Sequence, residues 1–329
     1  ILEEARKRNI ARVVVDLPKG TRYLRDLERD LKEEFGLREA IVVLGFARSQ
    51  KTLEGLSEAQ IDLQKSEGTE AVRSDLANQA GKCISRKLTN KSKVVVGSGR
   101  LVRATINRIH TQLLEDLDIF PMSGFVGEKY YPSSAFSNAL ELMGITRGNF
   151  YILPTPGVVS STWKKHFVNF DKIPSLQATF QSIREESTIL ITGIGAFDSK
   201  KRETFINYNF ANDQEMELFL SNQEKLSRLP AAEICSWLLD VHGNEIQAPW
   251  QTIGIDLQTI KTRVKDKSLE VVAVAGGDEN RVAAIFAALK GGYVSSLVTD
   301  SVTAYQLLDA NAGAELTLPT IWSHKRQTP

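Results

Sequence analysis

Cysteine is scarce in this sequence: Cys83 and Cys235 are the only two among 329 residues, and they match no zinc-ligand spacing. The chain does not open with a charged segment followed by an apolar stretch, so no secretory signal is expected. Two reduced thiols in a cytoplasmic protein follow from that reading. No apolar run approaches the ~20 residues of a membrane span, so no membrane partner is expected. Histidine is scarce as well. His110, His166, His242 and His324 show no metal spacing and adjoin no Ser or Cys nucleophile motif, so neither a metal, a cofactor nor a catalytic residue is expected. Trp163, Trp237, Trp250 and Trp322 are scattered and form no stacking platform. An excess of either charge is also missing, with 41 Lys and Arg against 40 Asp and Glu. A domain that grips nucleic acid by its phosphates concentrates basic residues on one face. Here they alternate with acids, as in Glu3-Glu4-Ala5-Arg6-Lys7-Arg8, the pattern of a solvated helix. The first residue is Ile rather than Met, and a segment upstream is expected.

What is present is an ordinary globular composition, 42% apolar and 25% charged, on a chain long enough to bury a large core. Residues 2–9 read as a short charged helix leading into a strand at 12–17. Leu24, Leu27, Leu31 and Phe35 recur at spacings of three and four, the mark of an amphipathic helix, and Gly36 ends it. A strand at 41–45 follows, and strand–helix–strand within so few residues implies a parallel sheet. Residues 48–92 are helical in pattern, a strand follows at 93–96, and a helical run extends from 100 through Leu114. Further strands are expected at 150–153, 188–191, 271–274 and 294–298, with a short one at 252–257 paired near Ile246. The alternation predicts an α/β fold, a doubly wound, mostly parallel, Rossmann-like sheet. A linker helix over 1–10, one domain over 11–315 and a tail over 316–329 are the expected divisions.

Three strand–glycine–helix junctions carry the chemistry: Gly97-Ser98-Gly99-Arg100, Gly193-Ile194-Gly195 and Gly276-Gly277-Asp278. In a parallel sheet these turns lie at the carboxyl ends of strands, where ligands bind. Glycine allows a tight turn and brings backbone N–H groups close to a ligand oxygen, and a following helix start favours an anion. Ser98 adds a hydroxyl and Arg100 a forked cation, so this turn is the phosphate candidate. The same glycines would equally let strand and helix pack closely. A dinucleotide fingerprint fails at Val102, and no P-loop ending exists. Glu233, shortly after Pro230, reads as a first-turn helix residue with a capping role. Lys290 ends the helix 281–289 before Gly291-Gly292, where it either offsets the helix dipole or reaches a ligand.

Taken in order, these segments resemble the effector-binding domain of SorC-type sugar-operon regulators over about residues 3–310. The matching stretches are Gly97-Ser98-Gly99-Arg100, Leu153-Pro154-Thr155-Pro156-Gly157, Gly193-Ile194-Gly195, the segment from Glu233 to Gly243, and Val272-Ala273-Val274-Ala275-Gly276-Gly277 through Lys290-Gly291-Gly292 to Asp300. The resemblance implies a fold like that of sugar-phosphate isomerases and deaminases, a phosphorylated sugar or sugar alcohol as effector, and a homodimer or homotetramer. Operator DNA would be bound only through an N-terminal helix-turn-helix that this sequence lacks. It further implies that the turn from Gly97 to Leu101 holds phosphate and that Glu233 and Lys290 reach the ligand. Ser123, Gly124, Asn138, Gly193, Gly195, Gly276 and Gly277 complete the implied ligand set. Two departures stand out. Ser123 replaces an Arg of some members, which disfavours a bisphosphate, and Leu101 replaces a frequent hydroxyl, which removes one phosphate contact. Isomerases on such a fold need a carboxylate base beside the sugar carbons. Asp278, Glu279 and Glu233 are the candidates, but no pair of them stands at the phosphate turn. A sensor is therefore the reading, and a sugar-phosphate isomerase or amino-sugar-phosphate deaminase-like enzyme the alternative.

Overall fold

The computed structural model describes residues 22–45, 58–110, 114, 116–126, 132–160 and 170–321. The helix expected at 2–9, the strand at 12–17 and most of the tail lie outside them. Helix α1 (Arg22–Phe35) buries Leu27 and Leu31, spaced one helical turn apart, and ends at Gly36 in the left-handed conformation, φ +65°. The first half of the fold continues through β1 (Glu39–Val43), α2 (Glu58–Lys87), β2 (Lys93–Val96), α3 (Arg100–Ile106), β3 (Asp118–Pro121), α4 (Ala135–Thr146) and β4 (Asn149–Phe150). The second half runs through β5 (Val158–Ser160), α5 (Pro174–Gln181), β6 (Ile189–Gly193), β7 (Gly195–Ala196), α6 (Ser199–Asn207), α7 (Asp213–Lys225), β8 (Ala232–Ile234) and β9 (Trp237–Leu239). It closes with β10 (Glu245–Ile246), β11 (Trp250–Thr252), α8 (Leu257–Lys265), β12 (Glu270–Val274), α9 (Val282–Lys290), β13 (Ser296–Asp300) and α10 (Ser301–Asn311).

Among the described residues, seven parallel strands make the central sheet in the order β1-β13-β12-β6-β2-β3-β4. From β2 the chain winds outward to β3 and β4; from β6 it winds the opposite way to β12 and β13. The two strands are neighbours, so the topological switch point lies between them, and the crevice beyond its carboxyl ends is where such sheets take ligands. The expected doubly wound α/β sheet is what the chain forms.

Alternation along the strands feeds two faces. Val94, Val96, Ile189 and Ile191 pack with Ile84, Val102, Ile106 and Leu142 on one side. Val95, Leu190, Val271 and Ala273 pack with Leu31, Phe180, Ile260 and Leu307 on the other. A separate aromatic core of Phe197, Phe205, Phe210, Phe219 and Trp250 joins α6 and α7 to the antiparallel sheet β10-β9-β8-β7. At the amino edge of the central sheet, Lys87 Nζ bridges Glu39 Oε2 at 2.7 Å and Glu270 Oε1 at 2.6 Å. Ser296 Oγ donates to the same Glu270 oxygen at 2.8 Å, so the last residue of α2 fastens the starts of β1, β13 and β12 together.

Several local expectations are corrected. The strand expected at 150–153 keeps only its first residue: the Tyr151 N–H still donates to the Ile119 carbonyl at 2.9 Å, and Ile152 beyond it is exposed. The strand at 252–257 stops at Thr252 and pairs antiparallel with β5, while Ile246 pairs with Leu238 instead. Just beyond Thr252, Gly254 bridges to Ser123 instead, so close to that segment that an added Cβ would stand 2.1 Å from the Met122 carbonyl. The helical run from 100 ends at Ile106 rather than at Leu114. Glu233 is in strand β8, not in a helix. Strand β3, whose four residues end in Pro121, was not expected.

Candidate functional site

A cavity of about 370 Å³ opens at the carboxyl ends of β2 and β6. Of the residues expected to bind ligand, Ser98, Gly99, Arg100, Leu101, Ser123, Gly193, Gly195 and Glu233 line it. Ser123, 6% exposed, is part of the inner wall, and Leu101 also packs against the apolar cluster of Val274 and Val298.

The remaining expected residues are brought elsewhere, each for a visible reason. Gly97 is buried beneath the turn, where an added Cβ would meet Thr192 Oγ1 at 2.8 Å. Gly124 clears the Thr155 carbonyl. Gly277 donates its N–H to Asp300 Oδ2 at 2.7 Å, and Gly276 lies against the same carboxylate. Asn138 is fully buried behind the first glycine turn. Lys290 is exposed and its ammonium lies 3.4 Å from Asn311 Oδ1. A crossover helix must run antiparallel to its strand, so the end of α9 falls at the amino edge of the sheet, away from the cavity.

Three cations that the sequence reading missed take the place of Lys290. Arg281 stands just before α9, Arg73 comes from the middle of α2, and Lys201 from the first turn of α6. With Arg100 they face two carboxylates in the wall, Glu70 and Glu233. Burial holds the Arg281 guanidinium below its ordinary pKa, and the charges of Arg73 and Arg100 push it the same way against the pull of Asp278. This repulsion favours an anion beside Arg281, while Arg73 lies 3.7 Å from Glu70 Oε2 and Arg281 3.8 Å from Asp278 Oδ2, both loose ion pairs. The Arg73 stem passes Gly277 on its way to the site, at a distance where an added Cβ would make an ordinary contact with Arg73 Cγ, 3.7 Å.

Glu233 accepts the Lys201 ammonium on Oε2 at 2.7 Å and the Ser236 N–H on Oε1. β7 runs alongside at this point, with Gly195 opposite Glu233 in the ladder, and an added Cβ on Gly195 would stand 3.0 Å from Oε2. Strands β8 and β9 are joined by a two-residue turn at Cys235 and Ser236 with φ of +45° and +72°, a primed hairpin turn that usually takes glycine or asparagine. Trp250 Nε1 and Thr252 Oγ1 both donate to the Ser236 carbonyl and hold this conformation, at 2.9 and 3.2 Å. The turn carries the Cys235 sulfur to the Ser98 N–H, 3.3 Å away. Burial, followed by the Glu233 charge, pushes the Cys235 thiol up to about 11, so it sits there neutral.

The backbone of the first glycine turn behaves differently from the expectation. Gly97 N–H donates to Ile191 O, Ser98 N–H to the Cys235 sulfur and Gly99 N–H to Ser133 O. These amides are committed within the protein, and the positive character of the cavity comes from its arginines and lysine.

Residues 21–309 match the family model described as "Putative sugar-binding domain". The chain belongs to this sugar-binding domain family. Its curated relatives include the transcriptional regulator LsrR of Escherichia coli O157:H7, 40% identical over 80 residues that make up 23% of each chain. The match thus spans less than a quarter of that relative. Among solved structures, the full-length sorbitol operon regulator SorC from Klebsiella pneumoniae aligns with TM-score 0.68 at 18% identity, covering 93% of this chain and 87% of that one. A transcriptional regulator from Streptococcus pneumoniae TIGR4 aligns with TM-score 0.69 at 16% identity over 88% and 98%. These two share the fold of the sugar-binding domain, and the resemblance read from its ordered motifs stands.

Proposed function

We propose that this sugar-binding domain is the effector-sensing part of a bacterial transcriptional regulator, taking a phosphorylated sugar or sugar alcohol into the cavity at the switch point. The observation that carries the reading is the cluster of Arg73, Arg100 and Arg281 in the cavity wall, a site charged for a phosphate. Opposite charge in the form of Glu233 supplies an acceptor for sugar hydroxyls. Its carboxylate is already held by Lys201 and by the Ser236 N–H, which suits a fixed acceptor better than a base that must move a proton. On this reading the domain is not an enzyme. It acts in the cytoplasm as a homodimer or homotetramer, and meets operator DNA through a helix-turn-helix outside these residues.

Thermal denaturation with paired ligands tests the reading. Sugar phosphates should raise the melting temperature while the same sugars without phosphate should not, and a ligand at 100 times its Kd adds about 2.7 kcal/mol. Equal stabilisation by both sets would refute the phosphate site. Chemical conversion of the bound sugar phosphate, followed by NMR over hours, would instead favour an isomerase or deaminase.

A further inference from the structure

Asn138, on α4, is fully buried and does not reach the cavity, yet its side chain is bound to the turn that does. Its Nδ2 lies 3.0 Å from the Gly97 carbonyl, 3.4 Å from the Gly99 carbonyl and 3.4 Å from the Ser133 carbonyl. With carbonyl oxygens on that side, only the NH2 end of the amide fits there. The Oδ1 end is buried with no hydrogen-bond partner. A stranded acceptor is a cost that an apolar side chain of the same size would avoid, so what this residue contributes is its donors.

The two carbonyls it holds on the turn flank Ser98, and that of Gly99 immediately precedes Arg100. Drawing them back toward α4 leaves Ser98 and Arg100 on the opposite, cavity side. Gly99 completes the clamp: its own N–H donates to Ser133 O at 2.8 Å, and its φ of +125° is a conformation that residues with a Cβ rarely adopt. Side-chain amide and backbone amide therefore fix one short segment to the start of α4 from both directions.

We propose that Asn138 is a positioning residue, which sets the direction of Arg100 by holding the carbonyls of Gly97 and Gly99 and touches no ligand itself. The proposal rests on the reading of the cavity as an anion site, and sulfate, whose charge does not change between pH 5 and 8, is a suitable probe. Sulfate binding to the wild-type chain is measured by calorimetry, beside Asn138→Leu, which keeps about the same size, removes both donors and adds no charge near the anion. Leu142→Val, equally buried on the same helix, controls for general loss of stability. Asn138→Leu should weaken sulfate binding about tenfold or more while Leu142→Val stays within about twofold of wild type. In the wild-type chain the Asn138 side-chain NH2 resonances should shift during the sulfate titration and saturate at the calorimetric Kd, a readout that needs no variant to fold. Sulfate binding with an unshifted Asn138 amide, or with wild-type affinity in Asn138→Leu, overturns the proposal and leaves the anion site standing. No sulfate binding to the wild-type chain overturns both.

Discussion

Lys201 Nζ and Glu233 Oε2 meet at 2.7 Å across the cavity wall, joining helix α6 to strand β8. The carboxylate side chain is 7% exposed and the ammonium side chain 31%, so the acid depends on its partner more than the base does. Lys201→Met should therefore destabilise the chain by about 1–3 kcal/mol, the range for stranding a buried polar group. Lys201→Met combined with Glu233→Gln should recover part of the loss, because the stranded charge is gone. Urea denaturation of the four proteins of this cycle measures it, and additive losses would show that the pair is not coupled.

Arg281 and Lys290 bracket the same helix and should behave oppositely. Arg281→Met should weaken binding of a sugar phosphate by at least about tenfold, since a charge-assisted contact is worth about 1.5–3 kcal/mol. Lys290→Met should leave affinity unchanged and alter stability by no more than about 0.3–1 kcal/mol through the helix dipole. Calorimetric titration of both variants, beside their melting curves, distinguishes them. Affinity lost in Lys290→Met would mean that the end of α9 reaches the ligand after all.

Acid should act on Asp240. Burial raises its pKa, but hydrogen bonds from the Asn244 backbone and side chain, from Arg228 and from the His242 N–H outweigh it, and the net shift is downward. A carboxyl whose folded pKa is depressed contributes stability that is present above its unfolded pKa, about 3.9, and is lost as pH falls through the lower folded value. Asp240→Asn should be less stable than wild type at pH 7 and should lose less on acidification below about pH 4. Denaturant midpoints between pH 7 and pH 2.5 give the comparison, and parallel acid limbs would contradict it.

Cys235 and Cys83 should be poor nucleophiles. Burial pushes their thiols up to about 11 and about 12, against an ordinary value of 9.0. Alkylation of Cys235 by iodoacetamide at pH 7.5 should run at least about a hundredfold slower in the folded chain than in urea, since only the thiolate reacts. Mass spectrometry over time reads the rates. A folded Cys235 that reacts as fast as the unfolded one would contradict its placement against Ser98.

The sheet was legible because burial on both faces writes continuous apolar strands such as Val94-Val95-Val96 and Val271-Val272-Ala273-Val274 between amphipathic helices. The glycine turn at 97–101 was legible for the same reason, as a break at the end of such a strand. Arg73 was not, since it lies in the polar middle of a long helix and only the packing of α2 along the sheet brings it to the cavity. Lys290 was misplaced by reading its neighbours rather than its direction: a residue that ends a crossover helix is carried to the amino edge, whereas Arg281, which precedes the same helix, is held at the carboxyl edge. Glu233 was assigned to a helix from Pro230, a signal that strand β8 overrides by pairing with β7 and β9.

Helix α2 is 30 residues long, about 45 Å at 1.5 Å per residue. Arg73 belongs to the cavity wall, while Lys87, about 21 Å further along the axis, is fastened to Glu39 and Glu270. A helix transmits axial displacement as a stiff rod does, with no slack between its turns. Work done on Arg73 is therefore not dissipated at the cavity: any axial travel there must stretch two ion pairs at the far edge of the sheet, beside the strand that follows α1.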